Sequence, residues 1–443
     1  MKPLATAKPV SKPRTPSRRR AWTVVALLFA LMVVNFADKA VIGLAAKPIM
    51  RDLGLDATQF GLLSSGFFLM FVLSAVGIGF LGDRVPARWL LLGMAVLWSL
   101  SQAPMIGVAG FGVVLAGRGL LGFGEGPAVP IAQHAAHKWF DNRERNLVSG
   151  IIQSGATLGV VIASPVLTWL IVEYNWHVAF AALCAAGLVW ALLWLVLGRE
   201  GPSDARTLAQ RDTSAAIGLL EATHVPYRRV LACGTWLACL VGGFTVQWTL
   251  GVMTTWLPDY LSRLGYSPSQ VGLLNTVPWL VMGALFLAQS LLSRWLAGRG
   301  VSSRVHRGLA AGVLLFCSAV AMALFPSVRQ PGLQLTLITI AFSFCEIMAV
   351  VGPAVIAEIT PTTRRSGVLG VYLGLGSIGA VLSPTVTGSL VDAASTPLAG
   401  FRWAFLLTAA LALTAGAAAT FLIRPERDAR RLAAPPGGET SGQ

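Results

Sequence analysis

Twelve long apolar runs, separated by short polar loops, constrain the fold of this 443-residue chain more than any other feature of its sequence. A helix needs about 20 apolar residues to cross a bilayer, and each run has close to that length. Only 12% of the residues are charged, whereas a soluble domain carries about 25%. We therefore predict an all-α membrane protein with twelve transmembrane helices. The runs cover residues 22–46, 59–81, 89–108, 111–134, 148–173, 177–197, 230–257, 271–293, 308–326, 333–357, 366–391 and 403–423.

The positions of the basic residues predict how these helices are oriented. With twelve crossings, 27 of the 34 Lys and Arg residues lie in segments on the side of the termini, and five lie in loops on the other side. Because cytoplasmic loops are enriched in Lys and Arg, we expect a multi-pass protein of the inner (cytoplasmic) membrane with both termini in the cytoplasm. The net charge of +15 then reflects topology, so no nucleic-acid partner is expected.

The longest interruption of the apolar pattern divides the chain into two halves of six runs each. We predict a basic cytoplasmic tail, a six-helix bundle, a cytoplasmic linker, a second six-helix bundle and a second cytoplasmic tail. These segments cover residues 1–21, 22–197, 198–229, 230–423 and 424–443. We expect the chain to act as a monomer in the lipid bilayer.

Short sequences recur in the two halves and indicate a duplication. Leu53–Leu63 matches Leu264–Leu274 at six of eleven positions, and Gly126–Val129 recurs as Gly352–Val355. Two six-helix repeats of equal orientation, related by a pseudo-two-fold axis, are typical of transporters with a site between their bundles. A duplicated channel would have the same pattern, but charges inside the membrane fit a coupled carrier better.

Polar and charged side chains lie inside two apolar runs of the first half. Asn35, Asp38 and Lys39 are three and four residues apart in the first run, so they form one polar stripe on a helix. Arg118 and Glu125 are seven residues apart in the fourth run, which places them on one face. A charge at membrane depth costs about 3 kcal/mol or more, so such residues are seldom without a role.

These charges have a functional and a structural interpretation. An acidic side chain in a low dielectric is a usable proton carrier, and two cations near a midplane cavity suit an anionic substrate. Alternatively, Asp38–Lys39 and Arg118–Glu125 are structural ion pairs. Because isolated buried pairs seldom stabilise a protein enough to explain their presence, we favour the functional interpretation.

The loop after the second run resembles a known signature. Residues 79–88 resemble the G-x-x-x-D-R-x-G-R-R signature of the major facilitator superfamily, in which Gly79, Asp83, Arg84 and Arg88 match. Proline and alanine replace two other residues of the signature. The resemblance implies that the matching residues form a charge cluster that acts as a conformational latch. The alternative is a solvated turn that is rich in arginine.

A closer resemblance covers most of the first half. It is to the anion:cation symporter family, whose members include hexuronate, galactonate, glucarate, tartrate and phthalate permeases. The matching stretches are Asn35–Lys39, Arg118–Pro127, Trp139–Arg145 and Ser154–Gly159. The resemblance implies uptake of a small organic anion coupled to protons. It implies that Asp38 and Glu125 couple protons, and that Lys39 and Arg118 bind the substrate.

The sequence also departs from the carriers of sugar acids in that family. Phe71 occupies a position where those carriers have tyrosine, and Ala156 stands where they have glutamine. Lys39 lacks the planar fork of the usual arginine, which suits a carboxylate. We therefore expect a small carboxylate or sulfonate, or an aromatic acid. Asn35, Phe71 and Gln153 are expected to line its site.

Glu346 in the tenth run is the sharpest polar feature of the second half. It has no basic neighbour at helical spacing. We expect it to be either a second protonatable site or a buried neutral acid that is bonded to a backbone carbonyl.

Two other classes of function remain as alternatives. A proton-driven exporter of a drug or siderophore is the first, but the fifth run lacks the G-x-x-x-G-P signature of antiporters. A membrane enzyme or receptor is the second, but no Ser/His or His/Asp constellation lies at membrane depth. We expect no cofactor and no metal. The five cysteines lie in apolar runs without metal-ligand spacing, and His134 and His137 would need further ligands.

Overall fold

The apolar runs form helices throughout the part of the chain that the structure describes. The structure is a computed structural model that describes residues 18–81, 85–107, 110–140, 142–201, 225–361 and 364–433. No strand occurs within these ranges. A helix satisfies each backbone N–H and C=O within its own segment, which a bilayer core requires of any exposed crossing segment.

The first half contains eight α-helices in the described ranges. Helix α2 ends at Leu53. The next residue, Gly54, has a φ of 62°, in the left-handed region that glycine adopts without strain, and the chain turns there towards α3. A short 3₁₀ turn at Ala103–Met105 follows α4. The helices are α1 (Arg18–Leu44), α2 (Ala46–Leu53), α3 (Ala57–Leu81), α4 (Ala87–Ser101), α5 (Phe111–Glu125), α6 (Ala128–His137), α7 (Asn142–Glu173) and α8 (Trp176–Leu197).

The second half contains ten α-helices in the described ranges. The last of them lies in the predicted C-terminal tail, where Asp428 accepts hydrogen bonds from the backbone and the hydroxyl of Thr235. This part of the tail therefore packs on the second half. The helices are α9 (Tyr227–Leu231), α10 (Gly234–Arg263), α11 (Pro268–Leu274), α12 (Thr276–Gly298), α13 (Ala310–Leu324), α14 (Pro331–Cys345), α15 (Met348–Ile359), α16 (Arg365–Ala393), α17 (Pro397–Leu422) and α18 (Pro425–Ala433).

Ten helical segments of the described chain are long and apolar enough to cross a membrane. The other two predicted crossings are the third and fourth apolar runs. The third run forms the 15-residue helix α4, and the fourth is divided between α5 and α6. The fourth run breaks at Gly126 and Pro127, because proline lacks the N–H that would continue the ladder of α5.

Three of the apolar runs are interrupted within the described chain. Besides the fourth run, the eighth is interrupted at Asn275 and the tenth at Glu346 and Ile347. The fourth and tenth runs occupy equivalent places in the two repeats. Their breaks nevertheless differ in register, since the first lies at the repeated Gly-Pro and the second lies six residues before it.

Helix packing repeats between the two halves. In the first half α1 packs on α7, α3 on α5, and α4 on α8. The second half repeats these pairs as α10 on α16, α12 on α14, and α13 on α17. The halves meet where α3 packs on α16 and, in the equivalent position, where α12 packs on α7. This arrangement confirms the duplication that the short sequence repeats indicate.

Contacts between the halves concentrate at the end of the bundles that lies away from the chain termini. We call this contact region the seam. In it Ala57, Thr58 and Ser164 of the first half bond to Asp392 and Asn275 of the second. At the seam Asp392 of α16 caps α3: its carboxylate accepts hydrogen bonds from the backbone of Ala57 (3.1 Å) and Thr58 (2.7 Å) and from the Thr58 hydroxyl (2.6 Å). Asn275 donates to Ser164 across the other helix pair, at 3.2 Å. The seam therefore closes this end of the molecule.

The opposite end of the bundles has a different pattern. Its ion pairs join residues of the same half, such as Arg18 with Glu144 in the first half and Arg307 with Glu358 in the second. Among pairs of described residues, every hydrogen bond between the halves lies on the seam side. Within the described residues, hydrogen bonds therefore join the two halves at the seam end and not at the opposite end.

Candidate functional site

A buried ion pair lies inside the first half. Lys39 of α1 donates one hydrogen bond to Oε2 of Glu125 of α5 and another, 2.7 Å long, to Oδ1 of Asn35. The side chains of Lys39 and Glu125 are only 5% and 0% exposed. Asn35 precedes Lys39 by four residues, which places the two side chains next to each other on α1. The backbone carbonyl of Asn35 also accepts from the ammonium group at 3.4 Å, so three oxygen atoms hold that group away from solvent.

Two glycines allow α5 to approach α3 closely enough to build this site. A Cβ on Gly122 would lie 2.1 Å from the carbonyl oxygen of Phe67, and one on Gly126 would lie 2.3 Å from that of Phe71. Any larger residue at these positions would separate the helices. The close approach brings the α5 charges next to the aromatic side chains of α3.

Three aromatic rings surround the remaining faces of the ammonium group. The Lys39 nitrogen lies 4.9 Å from the ring centre of Phe36, 5.6 Å from Phe67 and 5.4 Å from Phe71. A cation over an aromatic face gains about 0.5–2 kcal/mol, more when water is excluded. The rings stabilise the cation but accept no conventional hydrogen bond. Phe71, which the sequence predicts to line the substrate site, lies next to Lys39, and its role there stays a prediction; Phe36 and Phe67 were not predicted.

Arg118 is a second buried cation, and it forms no ion pair within the described residues, although Glu125 and Asp38 are its charged neighbours. Its side chain is 1% exposed, and its guanidinium carbon lies 4.7 Å from the ring centre of Phe67. Its Nε and Nη1 atoms have no hydrogen-bond partner in the described part of the chain. These two N–H groups can bind an anion without breaking an existing bond.

Asp38 faces a different neighbour from Lys39, although the two residues are adjacent. Its Oδ1 accepts a 3.0 Å hydrogen bond from Nε2 of Gln102, which follows the last residue of α4. Both side chains are fully buried. Gln102 was not predicted, and its one signal in the sequence is a polar amide inside the third apolar run.

The structure corrects the structural alternative for these charges. That alternative pairs Asp38 with Lys39 and Arg118 with Glu125, yet among the described residues the one ion pair in this group joins Lys39 to Glu125. Adjacent residues on a helix point about 100° apart, so Asp38 and Lys39 cannot both face the same partner. The pairing across α1 and α5 was not readable from spacing within either helix.

Two further predicted site residues lie apart from this group. Gln153 is exposed on α7, and it makes no hydrogen bond to the group among the described contacts. Glu346 lies at the break between α14 and α15 and is 4% exposed. Its Oε1 has no hydrogen-bond partner among the described residues, so the predicted bond to a backbone carbonyl is not present at that atom.

The signature loop is described only in part. Asp83 and Arg84 lie outside the described residues, and Gly79 lies in α3. Arg88 begins the first turn of α4, where its side chain donates a 2.8 Å hydrogen bond to the carbonyl of Leu195. That contact is within the first half, and the latch role stays a prediction.

No group of three or more His, Cys, Asp or Glu side chains in the described ranges could hold a metal ion. His137 bonds to Ser149 through Nε2 at 2.7 Å. The five cysteines are free; three are buried, Cys233 is partly exposed and Cys317 is exposed.

A comparison with known families identifies the architecture. The family model described as Major Facilitator Superfamily matches residues 28–346 and 301–441. This chain belongs to the major facilitator superfamily. It is a membrane transporter rather than an enzyme.

Relatives of this major facilitator transporter carry names of anion carriers. It is 30% identical to a hexuronate transporter of Bacillus subtilis over 417 residues, which cover 91% of this chain and 94% of that protein. It is 27% identical to a probable sulfoacetate transporter of Cupriavidus necator, with 94% and 95% covered. Among solved structures, a bacterial homologue of the human lysosomal transporter Spinster, inward-facing and occupied, superposes with a TM-score of 0.73 at 20% identity. The match covers 95% of this chain and 100% of that one.

Proposed function

We propose that this transporter takes up a small organic anion together with protons by alternating access. The observation that carries the proposal is the buried group of Lys39, Glu125 and Arg118, in which one cation is held by a carboxylate and the other has free N–H groups. Such a group is costly at membrane depth unless a proton or ligand completes it during the cycle. Relatives named for hexuronate and sulfoacetate support an anionic substrate.

Glu125 links the proton to the substrate through Lys39. In the structure the Glu125 carboxylate accepts a hydrogen bond from the Lys39 ammonium group, and it thereby competes with an anionic substrate for that group. Protonation of Glu125 removes the negative charge, so that Lys39, still held by Asn35, becomes free to bind a carboxylate or sulfonate. Arg118 supplies the second cationic contact. When the proton leaves, Glu125 competes with the substrate for Lys39 and favours its release.

Asp38 and Glu346 are the further protonatable groups of the proposed cycle. Asp38 lies on the same helix as Lys39 and is bonded to Gln102 instead of to a cation. Glu346 lies in the second half without a cation partner among the described residues. Neither contacts the ammonium group, so we assign the direct coupling step to Glu125.

The surroundings of the cations favour a substrate with few hydroxyl groups. Around Lys39 the conventional hydrogen-bonding groups are Asn35 and Glu125, and the other faces are phenylalanine rings. A buried hydroxyl without a partner costs about 1–3 kcal/mol, so a polyhydroxylated sugar acid would be poorly accommodated. We infer a small carboxylate or sulfonate, aromatic acids included.

The seam supports the proposal of alternating access. We propose that both termini are cytoplasmic, because 27 basic residues lie on their side of the membrane. The seam then closes the periplasmic side, and the conformation is inward-facing. All residues of the site come from one chain, so a monomer suffices. A reporter that needs the periplasm for activity, fused after Gln443, is expected to be inactive, and activity there would contradict this orientation.

Uptake into proteoliposomes tests the function. The purified transporter is reconstituted, an acidic-outside pH gradient is imposed, and accumulation of sulfoacetate, benzenesulfonate and glucuronate is compared. We expect at least one of the two sulfonates to accumulate above its equilibrium level, and a protonophore to abolish the accumulation. Glucuronate is expected to be transported more slowly.

Two outcomes would contradict the proposal in different ways. Uptake that is unchanged when the pH gradient is removed would refute proton coupling. Accumulation of glucuronate alone would keep the coupling and refute the inferred substrate class.

A further inference from the structure

Asp38 and Gln102 form one of the two hydrogen bonds that a carboxylic acid and a primary amide can make with each other. Nε2 of Gln102 donates to Oδ1 of Asp38 at 3.0 Å. The second carboxyl oxygen of Asp38, Oδ2, and the amide oxygen of Gln102, Oε1, are both buried and have no partner among the described residues. Both residues are 0% exposed. Two buried acceptors are thus left next to an existing bond between the same two side chains.

A carboxylic acid and a primary amide complement each other at both atoms. The amide donates N–H to one carboxyl oxygen, and a protonated carboxyl donates O–H to the amide oxygen. The two bonds together close a ring between the groups. A carboxylate can make only the first bond, because both remaining oxygens are then acceptors.

We propose that Gln102 is a positioning residue that binds Asp38 in both of its protonation states. With Asp38 charged, the single N–H bond holds it, as the structure has it. When a proton binds Oδ2, the new O–H donates to Oε1 of Gln102 and satisfies both orphaned atoms. No other bond forms or breaks, and the proton returns to water when Asp38 ionises.

The backbone around Gln102 fixes the amide in place for this role. The Gln102 N–H donates to the carbonyl of Ser99, and its own carbonyl accepts from Met105 in the following 3₁₀ turn. The residue is therefore held on both sides. A fixed amide can align with the carboxyl group without a large rearrangement.

The other charged or titratable groups near Asp38 do not replace Gln102 as its hydrogen-bond partner. The charged or titratable neighbours are Lys39 on α1, Arg118 and Glu125 on α5, and Cys184 on α8. None of these makes a hydrogen bond or an ion pair with Asp38 in the described chain. The inference rests on the proposed function only in so far as Asp38 takes up a proton.

Infrared difference spectroscopy during a pH titration of the full-length transporter tests the pairing. Asp38→Asn identifies the carboxylic acid band of Asp38, and Gln102→Met, which removes the amide at similar length, identifies the amide band of Gln102. In the wild type we expect both bands to change with one midpoint. In Gln102→Met we expect the acid band at the frequency of a carboxyl group without this hydrogen bond.

Gln102→Glu provides a second variant if the methionine variant does not fold. A carboxyl group at this position can still form the two-bond ring, so we expect a strongly hydrogen-bonded acid band to persist. An amide band that does not follow the Asp38 titration, or an acid band unchanged in Gln102→Met, would overturn the inference. A transporter that ignores a pH gradient but has coupled bands would refute the proposed function and leave the pairing intact.

Discussion

Both halves of the molecule place a buried glutamate where a helix breaks, but only one of these glutamates has a cation partner. Glu125 is the last residue of α5 and binds Lys39, while Glu346 follows α14 and has no basic partner among the described residues. The two breaks lie in equivalent helices of the repeat. The duplicated fold therefore carries one charged site and one isolated acid.

The duplication explains why both halves have an interrupted helix, but it does not explain why, of these two glutamates, only Glu125 has a cation partner among the described residues. Repetition supplies two helices that are interrupted near the centre of the protein, where backbone groups and side chains become available to a cavity. Charge pairing depends on single residues of the neighbouring helices, and the second half has no lysine in the place of Lys39. We therefore expect anion binding and its coupling to depend mainly on the first half.

Among the substitutions that test the difference between the halves, removal of the Lys39 side chain is expected to have the largest effect on uptake. Lys39→Ala leaves Glu125 buried without its cation and removes the substrate's charge partner. Truncating one partner of a buried, hydrogen-bonded charge pair in a binding site costs about 2–5 kcal/mol of binding free energy, and we take about 3 kcal/mol for the contact of the substrate with Lys39. Since about 1.4 kcal/mol corresponds to a factor of ten in rate, we expect uptake to fall by at least about 100-fold.

Lys39→Arg is the matched control for that variant. It keeps the charge and changes the geometry, so we expect uptake to fall by no more than about tenfold, or about 1.4 kcal/mol. Uptake is measured in proteoliposomes after size-exclusion chromatography has established that both variants fold. Unimpaired uptake by Lys39→Ala would remove this residue from the site.

The two glutamates provide a direct test of the difference between the halves. Glu125→Gln keeps an oxygen that accepts from Lys39 but cannot release the ammonium group by protonation. We expect it to exchange labelled for unlabelled substrate and to lose accumulation driven by a pH gradient. Glu346→Gln, the matched substitution in the second half, is expected to keep accumulation within about threefold, or about 0.7 kcal/mol.

The opposite result would reassign the proton. If Glu125→Gln still concentrates substrate in response to the gradient and Glu346→Gln does not, Glu346 is the coupling residue and the Lys39–Glu125 pair is structural. Loss of exchange in Glu125→Gln would instead place this residue in substrate binding. Both variants are compared in the same liposome preparation.

Sequence periodicity predicts the helices well because hydropathy and the bilayer act on each run separately. The apolar runs correspond to helical segments, three of them interrupted, and the short sequence repeats predict the duplication that is seen in the packing. The sequence also marks Asn35, Lys39 and Glu125 as candidate site residues, since polar groups inside apolar runs stand out. These predictions need only the local sequence.

The partners of these residues depend on packing between helices and were not predictable in this way. Spacing along α1 favours Asp38 with Lys39, yet the close approach at Gly122 brings Glu125 to Lys39 instead. Gln102 becomes significant only through its position opposite Asp38. The Asp392 cap on α3 joins residues that are 334 positions apart, and no motif in the sequence indicates it.

We expect substitutions at the seam to have the smallest effects. They test whether the Asp392 carboxylate controls the exchange between conformations. Asp392→Asn removes a charge from the N-terminus of α3 and leaves at most part of its cap. A cap or a charge at a helix N-terminus contributes about 1 kcal/mol, so we expect the population open at the seam to rise about fivefold. Distances between spin labels at Tyr174 and Ser395, both exposed on the seam side, measure this population in a background without the native cysteines.

Asp52→Asn is the control for the seam, because Asp52 makes similar contacts inside one half. It accepts hydrogen bonds from the Trp176 indole (3.0 Å) and from Arg51 (2.9 Å), which together hold its pKa below the usual range. A lowered pKa adds stability that is complete above the unfolded value and is lost as the pH falls through the folded value. At pH 7 Asp52 is therefore fully charged, and Asp52→Asn is expected to lower the melting temperature slightly without changing the label distances. If both variants shift the distances equally, the effect reflects charge at this end of the molecule, and the Asp392 cap does not control the seam.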